Sequence, residues 1–376
     1  MDGALEKTLM LLLFILVGIL IRKKYKNKEQ VNGIKNMILT IALPATIFVA
    51  LMGVEVELSM LIYPLLALIF NLILYFLTPG LLRIFGVDRK SKEGRTLRLL
   101  LPSLAPGLSC FPFIIEFLGE SELAIAALAD VGNKVFVLLF LYIIAMNIFM
   151  ANNPTSGSNG RNQKLKALLL SLVKEPINLV IITAIVLLAV GIQLDDLPGF
   201  LSSAFERMGG MMTPLVLIFI GLAVTVTKKK LVPIFTLLLS RAGLSMIVVG
   251  LVCLLVGVSE QNLILLSVAF SLSSCSFWPF AHMASFDQRE DDLKQKEKSF
   301  DLSYGLLVLA ISLPVSTLLI LGVLNSGSML SSPKAILVAG ALLMIMSLIP
   351  RLVILLKTSF KMTVKPKMQT RLEPAD

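Results

Sequence analysis

The chain carries few charges. Asp, Glu, Lys and Arg make up 15% of its 376 residues, against roughly 25% in a soluble domain, too few to cover a water-facing surface. Histidine and tryptophan each occur once. With one histidine and no HExxH, GxSxG or P-loop sequence, nothing suggests a metalloprotease, a serine hydrolase or a nucleotide-driven pump. The expectation is a protein that is not an enzyme and holds neither metal nor cofactor. The three cysteines (Cys110, Cys253, Cys275) sit in apolar stretches and are odd in number, which implies no disulfide framework. These shortages exclude a soluble enzyme, a secreted disulfide scaffold and a disordered chain.

Apolar residues are abundant instead, at 56% of the chain, with a mean hydropathy of +0.89. At about 20 residues per membrane-spanning helix, the pattern predicts an all-α polytopic membrane protein. Spans fall near 8–22, 33–53, 58–83, 98–118, 122–150, 167–193, 199–226, 231–257, 260–284, 300–324 and 335–357. The first apolar stretch ends in RKKYKNK without a small-residue cleavage site, so it reads as a span rather than a signal peptide.

Net charge is +10. On a soluble protein that would suggest nucleic acid; here its placement predicts orientation, and no nucleic-acid partner is expected. Basic residues gather in alternate connections: Arg22 to Lys35, Arg83 to Arg98, Arg161 to Lys166, Lys228 to Lys230 and Arg289 to Lys298, then the tail from Lys357. The other connections are acidic, as in GVEVEL, GESEL and QLDDLPG. Basic loops stay in the cytoplasm, so the N-terminus is expected outside and the C-terminus inside a plasma (inner) membrane. The tail is placed to touch anionic lipid.

Internal similarity organises the chain. LPATIF around Pro44 resembles TPLVLIF around Pro214, and SCFPF around Pro112 resembles SCSFWPF around Pro279. Asp130 and Asp301 form a third pair, all at an offset of about 170 residues. Five spans per repeat is odd, so the second copy enters the membrane inverted, an architecture of secondary transporters. The expected organisation is a first five-helix repeat at 8–150, a cytoplasmic linker at 151–166 and an inverted second repeat at 167–324. An extra transmembrane helix at 325–357, with no assigned role, and a basic cytoplasmic tail at 358–376 follow.

The fourth span holds Pro102, Pro106, Gly107 and Pro112 within eleven residues, too many breakers for a regular helix. Its repeat mate, the ninth, carries Ser271, Ser273, Ser274 and Ser276 ahead of Pro279. Aligned on the prolines, Ser109 faces Ser276. Unwound helix is tolerated in a membrane only against protein or a watery cavity, and half-helix N-termini attract anions. The expected substrate-binding residues are therefore Ser109, Cys110, Pro112, Ser274, Cys275, Ser276 and Pro279. Kinked helices whose serines bond their own backbone are the alternative.

Charges at the bilayer midplane cost about 2.5–3.5 kcal/mol each or more. Asp130 and Lys134 lie four apart on one helix face, as an internal ion pair or as a proton- or cation-handling carboxylate. Asn133 and Asn71 are the accompanying intramembrane polar candidates. Glu116 and His282 are expected to snorkel to an interface, and Arg241 to pair with a neighbouring carboxylate. Pro176 reads as an interfacial helix start after Lys174 and Glu175, and DQREDDLKQKEK as a solvated connection.

RKKYKNKEQVNGIKNMILTIALPATIF resembles the start of auxin efflux carrier family permeases. ALADVGNKVF, KEPINLV and MTPLVLIFIGLAV resemble that family's fifth, sixth and seventh spans. The resemblance covers about residues 8–324. It implies two inverted five-helix repeats with broken crossover helices at the fourth and ninth spans. The first, second, sixth and seventh spans would form a scaffold and homodimer surface. It further implies transport of a small organic anion, such as malate, malonate or an auxin. The chain departs from the family at the crossover, where Ala105, Pro106 and Cys110 replace its asparagine and small residues, and in its Ser-rich ninth span with Trp278. The expected function is thus a secondary transporter of a small organic anion, with proton or sodium as coupling ion. A sodium-coupled symporter of the related bile-acid type, and a ligand or lipid sensor that does not transport, are the alternatives.

Overall fold

The computed structural model describes residues 3–25, 27–53, 60, 62–152, 170, 176–223, 231–293 and 297–364. The expected linker beyond Asn152, Lys174, Glu175, the basic run 228–230, Lys294, Lys296, nearly all of the GVEVEL connection and the end of the tail lie outside the described residues, while the linker's first two residues end a helix. Every regular element among the described residues is helical.

Helix α1 (Gly3–Ile21) is followed by α2 (Glu29–Met52), which Asn27 caps by accepting a hydrogen bond from the Glu29 N–H. Within α2, residues Ile38–Ala42 widen into a π-turn. Pro44 is the cause: its ring crowds the carbonyl four residues back and it has no N–H to continue the ladder. Next come α3 (Ile62–Ile84) and three short pieces, α4 (Lys92–Leu100), α5 (Pro106–Ser109) and α6 (Phe111–Phe117). Gly119, at φ +109°, turns the chain into α7 (Glu120–Asn152).

The second half comprises α8 (Pro176–Ala189), α9 (Gly199–Leu222), α10 (Leu231–Val256), α11 (Gln261–Ser271), α12 (Phe277–Asp292) and α13 (Leu302–Asn325). Helix α14 (Pro333–Val364) ends the fold and runs past the expected end of the eleventh span.

Among the described residues, seven helices are long and apolar enough to cross a membrane: α2, α3, α7, α9, α10, α13 and α14 through Pro350. Leu9–Ile21, Pro176–Ala189 and Gln261–Ser271 are shorter apolar helices. The fourth expected span is broken into α4, α5 and α6. All eleven expected spans therefore meet helix, but four of them do so through short pieces.

Two pairs of glycines bring helices into backbone contact. A Cβ on Gly18 would lie 2.9 Å from Gly221 Cα, so α1 and α9 touch there. A Cβ on Gly243 would lie 2.7 Å from Gly340 O, which packs α14 onto α10. Such small-residue crossings are how helices associate where no hydrophobic force separates helix from lipid. The eleventh span, without a role in the sequence, thus has a definite seat on the eighth.

The core is two apolar clusters stacked along the bundle, and single helices pass from one to the other. In α7, Leu123–Leu128 belongs to one cluster and Phe136 onward to the other. In α3, Ala67 and Tyr75 fall on opposite sides of the divide; in α10, Ala242 and Leu238 do. The buried amides and charged residues of these helices, Asn71, Asp130, Asn133, Lys134 and Arg241, lie between. This mid-height layer positions the site.

Candidate functional site: a polar layer around two broken helices

The chain unwinds twice in this layer, at residues 101–105 between α4 and α5 and at 272–276 between α11 and α12. The unwound segments hydrogen-bond to each other, Ala105 N donating to Ser274 O at 2.8 Å. Serine hydroxyls accept most of the remaining N–H groups of the second segment. Ser274 N donates to Ser109 Oγ (2.9 Å), Cys275 N to Ser312 Oγ (2.7 Å) and Ser276 N to Ser103 Oγ (3.0 Å). The Ser276 hydroxyl caps α12 by accepting from Trp278 N at 3.3 Å. Most of the unwound backbone is satisfied inside the protein, as an apolar surrounding requires.

Arg241 of α10 holds both breaks. Its Nε donates to Leu101 O (2.6 Å), Nη2 to Ser103 O (3.0 Å) and Nη1 to Ser273 O (2.9 Å). The side chain is 3% exposed. The expected pairing with a neighbouring carboxylate is not what forms: among the described residues no carboxylate reaches it. Carbonyls at the ends of α4 and α11 carry the negative pole of each helix, and a planar guanidinium can reach several at once.

Beside the breaks, Asn133 donates to Leu104 O (3.1 Å) and Asp130 Oδ1 (2.8 Å) and accepts from Asn71 Nδ2 (2.9 Å). Asp130 pairs with Lys134 at 3.4 Å, and Lys134 Nζ donates to Asn178 Oδ1 of α8 at 3.2 Å. The ion pair expected from the spacing is present. It extends into a chain from α3 through α7 to α8, with Asn71 Oδ1 buried and without a partner.

All seven expected binding residues, Ser109, Cys110, Pro112, Ser274, Cys275, Ser276 and Pro279, are buried in or next to this layer. Their register differs from the proline alignment. Pro112 and Pro279 sit in the first turns of α6 and α12, beyond the breaks, where proline fits a helix. Ser109 contacts Ser274 rather than matching Ser276. Ser103 instead meets Ser276 N through its hydroxyl and Arg241 through its carbonyl. Asp301 does not correspond to Asp130: it caps the start of α13 by accepting from Tyr304 N, whereas Asp130 lies well inside α7.

Two further expectations are corrected. His282 does not snorkel: it is buried, with Nε2 3.0 Å from Val137 O in the π-turn Phe136–Phe140 of α7. The run from Asp287 to Asp292 is the end of α12 rather than a solvated loop, and the Glu290 carboxylate is fully buried, accepting from Ser299 N and Oγ. Glu116 is partly buried.

The sequence reading missed Ser103, Ser312 and Asn178 as partners. Their only signal was position, a polar residue inside or opening an apolar run. At the breaks, the side chains that reach the surface are Phe277 (49% exposed) and Trp278 (40%). Lys35 Nζ of α2 stands 4.6 Å over the Phe277 ring. Among the described residues no three His, Cys, Asp or Glu side chains gather as a metal site. No protein-family model matches this chain, and no curated protein does.

Proposed function

We propose that the protein is a secondary transporter that moves a small organic anion across the plasma (inner) membrane by alternating access. The observation that carries this reading is the contact between two unwound helix segments, Ala105 to Ser274, inside a polar layer between two apolar clusters. A protein that needed only to sit in a membrane would gain nothing from breaking two helices there, since each freed backbone group must find a new partner. Transporters break helices at mid-membrane because exposed helix ends and backbone groups can bind a substrate. The resemblance of the second, fifth, sixth and seventh spans to auxin efflux carrier permeases supports the same reading. So does the similarity of the stretches around Pro44 and Pro112 to those around Pro214 and Pro279.

In this reading the two breaks are the crossover of inverted repeats. Phe277, Trp278 and Lys35 line the approach for the substrate, and Asp130 with Lys134 is the candidate coupling pair. The basic connections face the cytoplasm with the N-terminus outside, and α1, α2, α8 and α9 form the scaffold of a homodimer.

The test is uptake of radiolabelled malate, malonate and indole-3-acetate into proteoliposomes, with and without sodium and a proton gradient. Saturable uptake of one of them, above that of protein-free vesicles, is expected. Ligand-induced thermal stabilisation without uptake would replace transport by sensing. Neither stabilisation nor uptake would remove the organic-anion reading.

A further inference from the structure

We propose that Arg241 sets the charge preference of the site without touching the substrate, by placing a buried positive charge on the carbonyls of the two unwound segments, beside the start of α12. The inference rests on the reading of the breaks as the substrate site.

Two helices end at the breaks and others begin there, so the poles offset one another if nothing else intervenes. The ends at α4 and α11 present carbonyls, a partial negative charge each; the start of α12 carries a partial positive charge, its Ser276 and Trp278 N–H groups already bonded to the Ser103 and Ser276 hydroxyls. Left alone, the helix ends of such a crossing favour neither sign of ligand, and Lys35 beside Phe277 is the other positive charge near the start of α12. Arg241 breaks that balance. Its three donors go to Leu101 O, Ser103 O and Ser273 O, all on the carbonyl side. Among the described residues no carboxylate neutralises it, so its full charge adds to the layer.

The Asp130–Lys134 pair adds no net charge of its own. Ser103 ties Arg241 to the start of α12: its carbonyl accepts from Nη2 while its hydroxyl accepts from Ser276 N, the cap of that helix. The buried guanidinium is therefore within a few bonds' reach of the exposed Phe277. A lysine could carry the charge but could not span three carbonyls on two segments.

The test needs no substrate. Phe277→Cys places a thiol at the exposed start of α12, and its modification is followed at that residue by mass spectrometry. The probes are an anionic (sulfonatoethyl) and a cationic (trimethylammonium-ethyl) methanethiosulfonate, each rate divided by the rate with a free thiol in solution. With Arg241 present, the anionic reagent is expected to be favoured. Adding Arg241→Met is expected to lower that preference about tenfold, and Arg241→Lys to keep most of it.

A ratio at or below one with Arg241 present overturns the proposal, even if Arg241→Met does not fold. So does a ratio that Arg241→Met leaves unchanged, or a thiol neither reagent reaches. Failure of organic-anion uptake with the expected reagent ratios would instead retire the transport reading and leave the electrostatic role of Arg241 standing.

Discussion

Ser274 has both of its backbone groups held by the first broken helix: its carbonyl accepts from Ala105 N and its N–H donates to Ser109 Oγ. The two unwound segments are thereby one hydrogen-bonded unit rather than two neighbouring kinks.

Ser109→Ala removes the acceptor for Ser274 N and leaves that group buried and unpaired. Destabilisation of about 1–3 kcal/mol is expected, read as a lower midpoint in thermal unfolding of the detergent-purified protein. An unchanged midpoint would mean that Ser274 N finds another acceptor.

Asp130→Asn leaves the Lys134 ammonium without its counter-charge at mid-bundle. Breaking a buried pair this way costs about 3–5 kcal/mol. Asp130→Asn combined with Lys134→Met removes both charges, and much of that loss should return. If the double variant regains stability but its uptake no longer responds to a proton or sodium gradient, the pair handles the coupling ion. Unaltered coupled uptake would make it structural only.

Pro112→Ala and Pro279→Ala should be mild, within about 1 kcal/mol, because both prolines occupy first turns where no helical N–H is required. The breaks at 101–105 and 272–276 lie ahead of them. Loss of uptake in either variant with unchanged stability would show that the proline ring itself meets the substrate.

Gly340→Val puts a branched side chain against Gly243 O, which a Cβ would approach to 2.8 Å. Overpacking of about 1–3 kcal/mol is expected, felt locally as release of α14 from α10. Proteolysis between α13 and α14 followed by purification would then lose the α14 fragment, while the wild-type fragment remains bound.

Much of the architecture is legible along the chain. Apolar runs mark every helix that could cross a membrane, because lipid demands about 20 such residues whatever their order. The four-residue spacing of Asp130 and Lys134 predicts their pairing, because helix geometry alone brings them together. Breakers mark the fourth span as irregular, and the ninth is flagged by its serines.

The rest depends on contacts with no sequence signature. Arg241 binds carbonyls, which every residue carries, so nothing in its neighbourhood distinguishes Leu101, Ser103 and Ser273 as its partners. The register of the two breaks follows from where Ser109, Ser312 and Ser103, remote in sequence, can take up freed N–H groups, and not from the nearest proline. Asp130 and Asp301 share a spacing but not a setting, since Asp130 lies inside α7 and Asp301 caps the start of α13. Composition and period determined by themselves that this chain is a bundle of apolar helices. Only the tertiary structure decided where the backbone unwinds and which charges it gathers, because a buried polar group is stable only where a partner is brought to it.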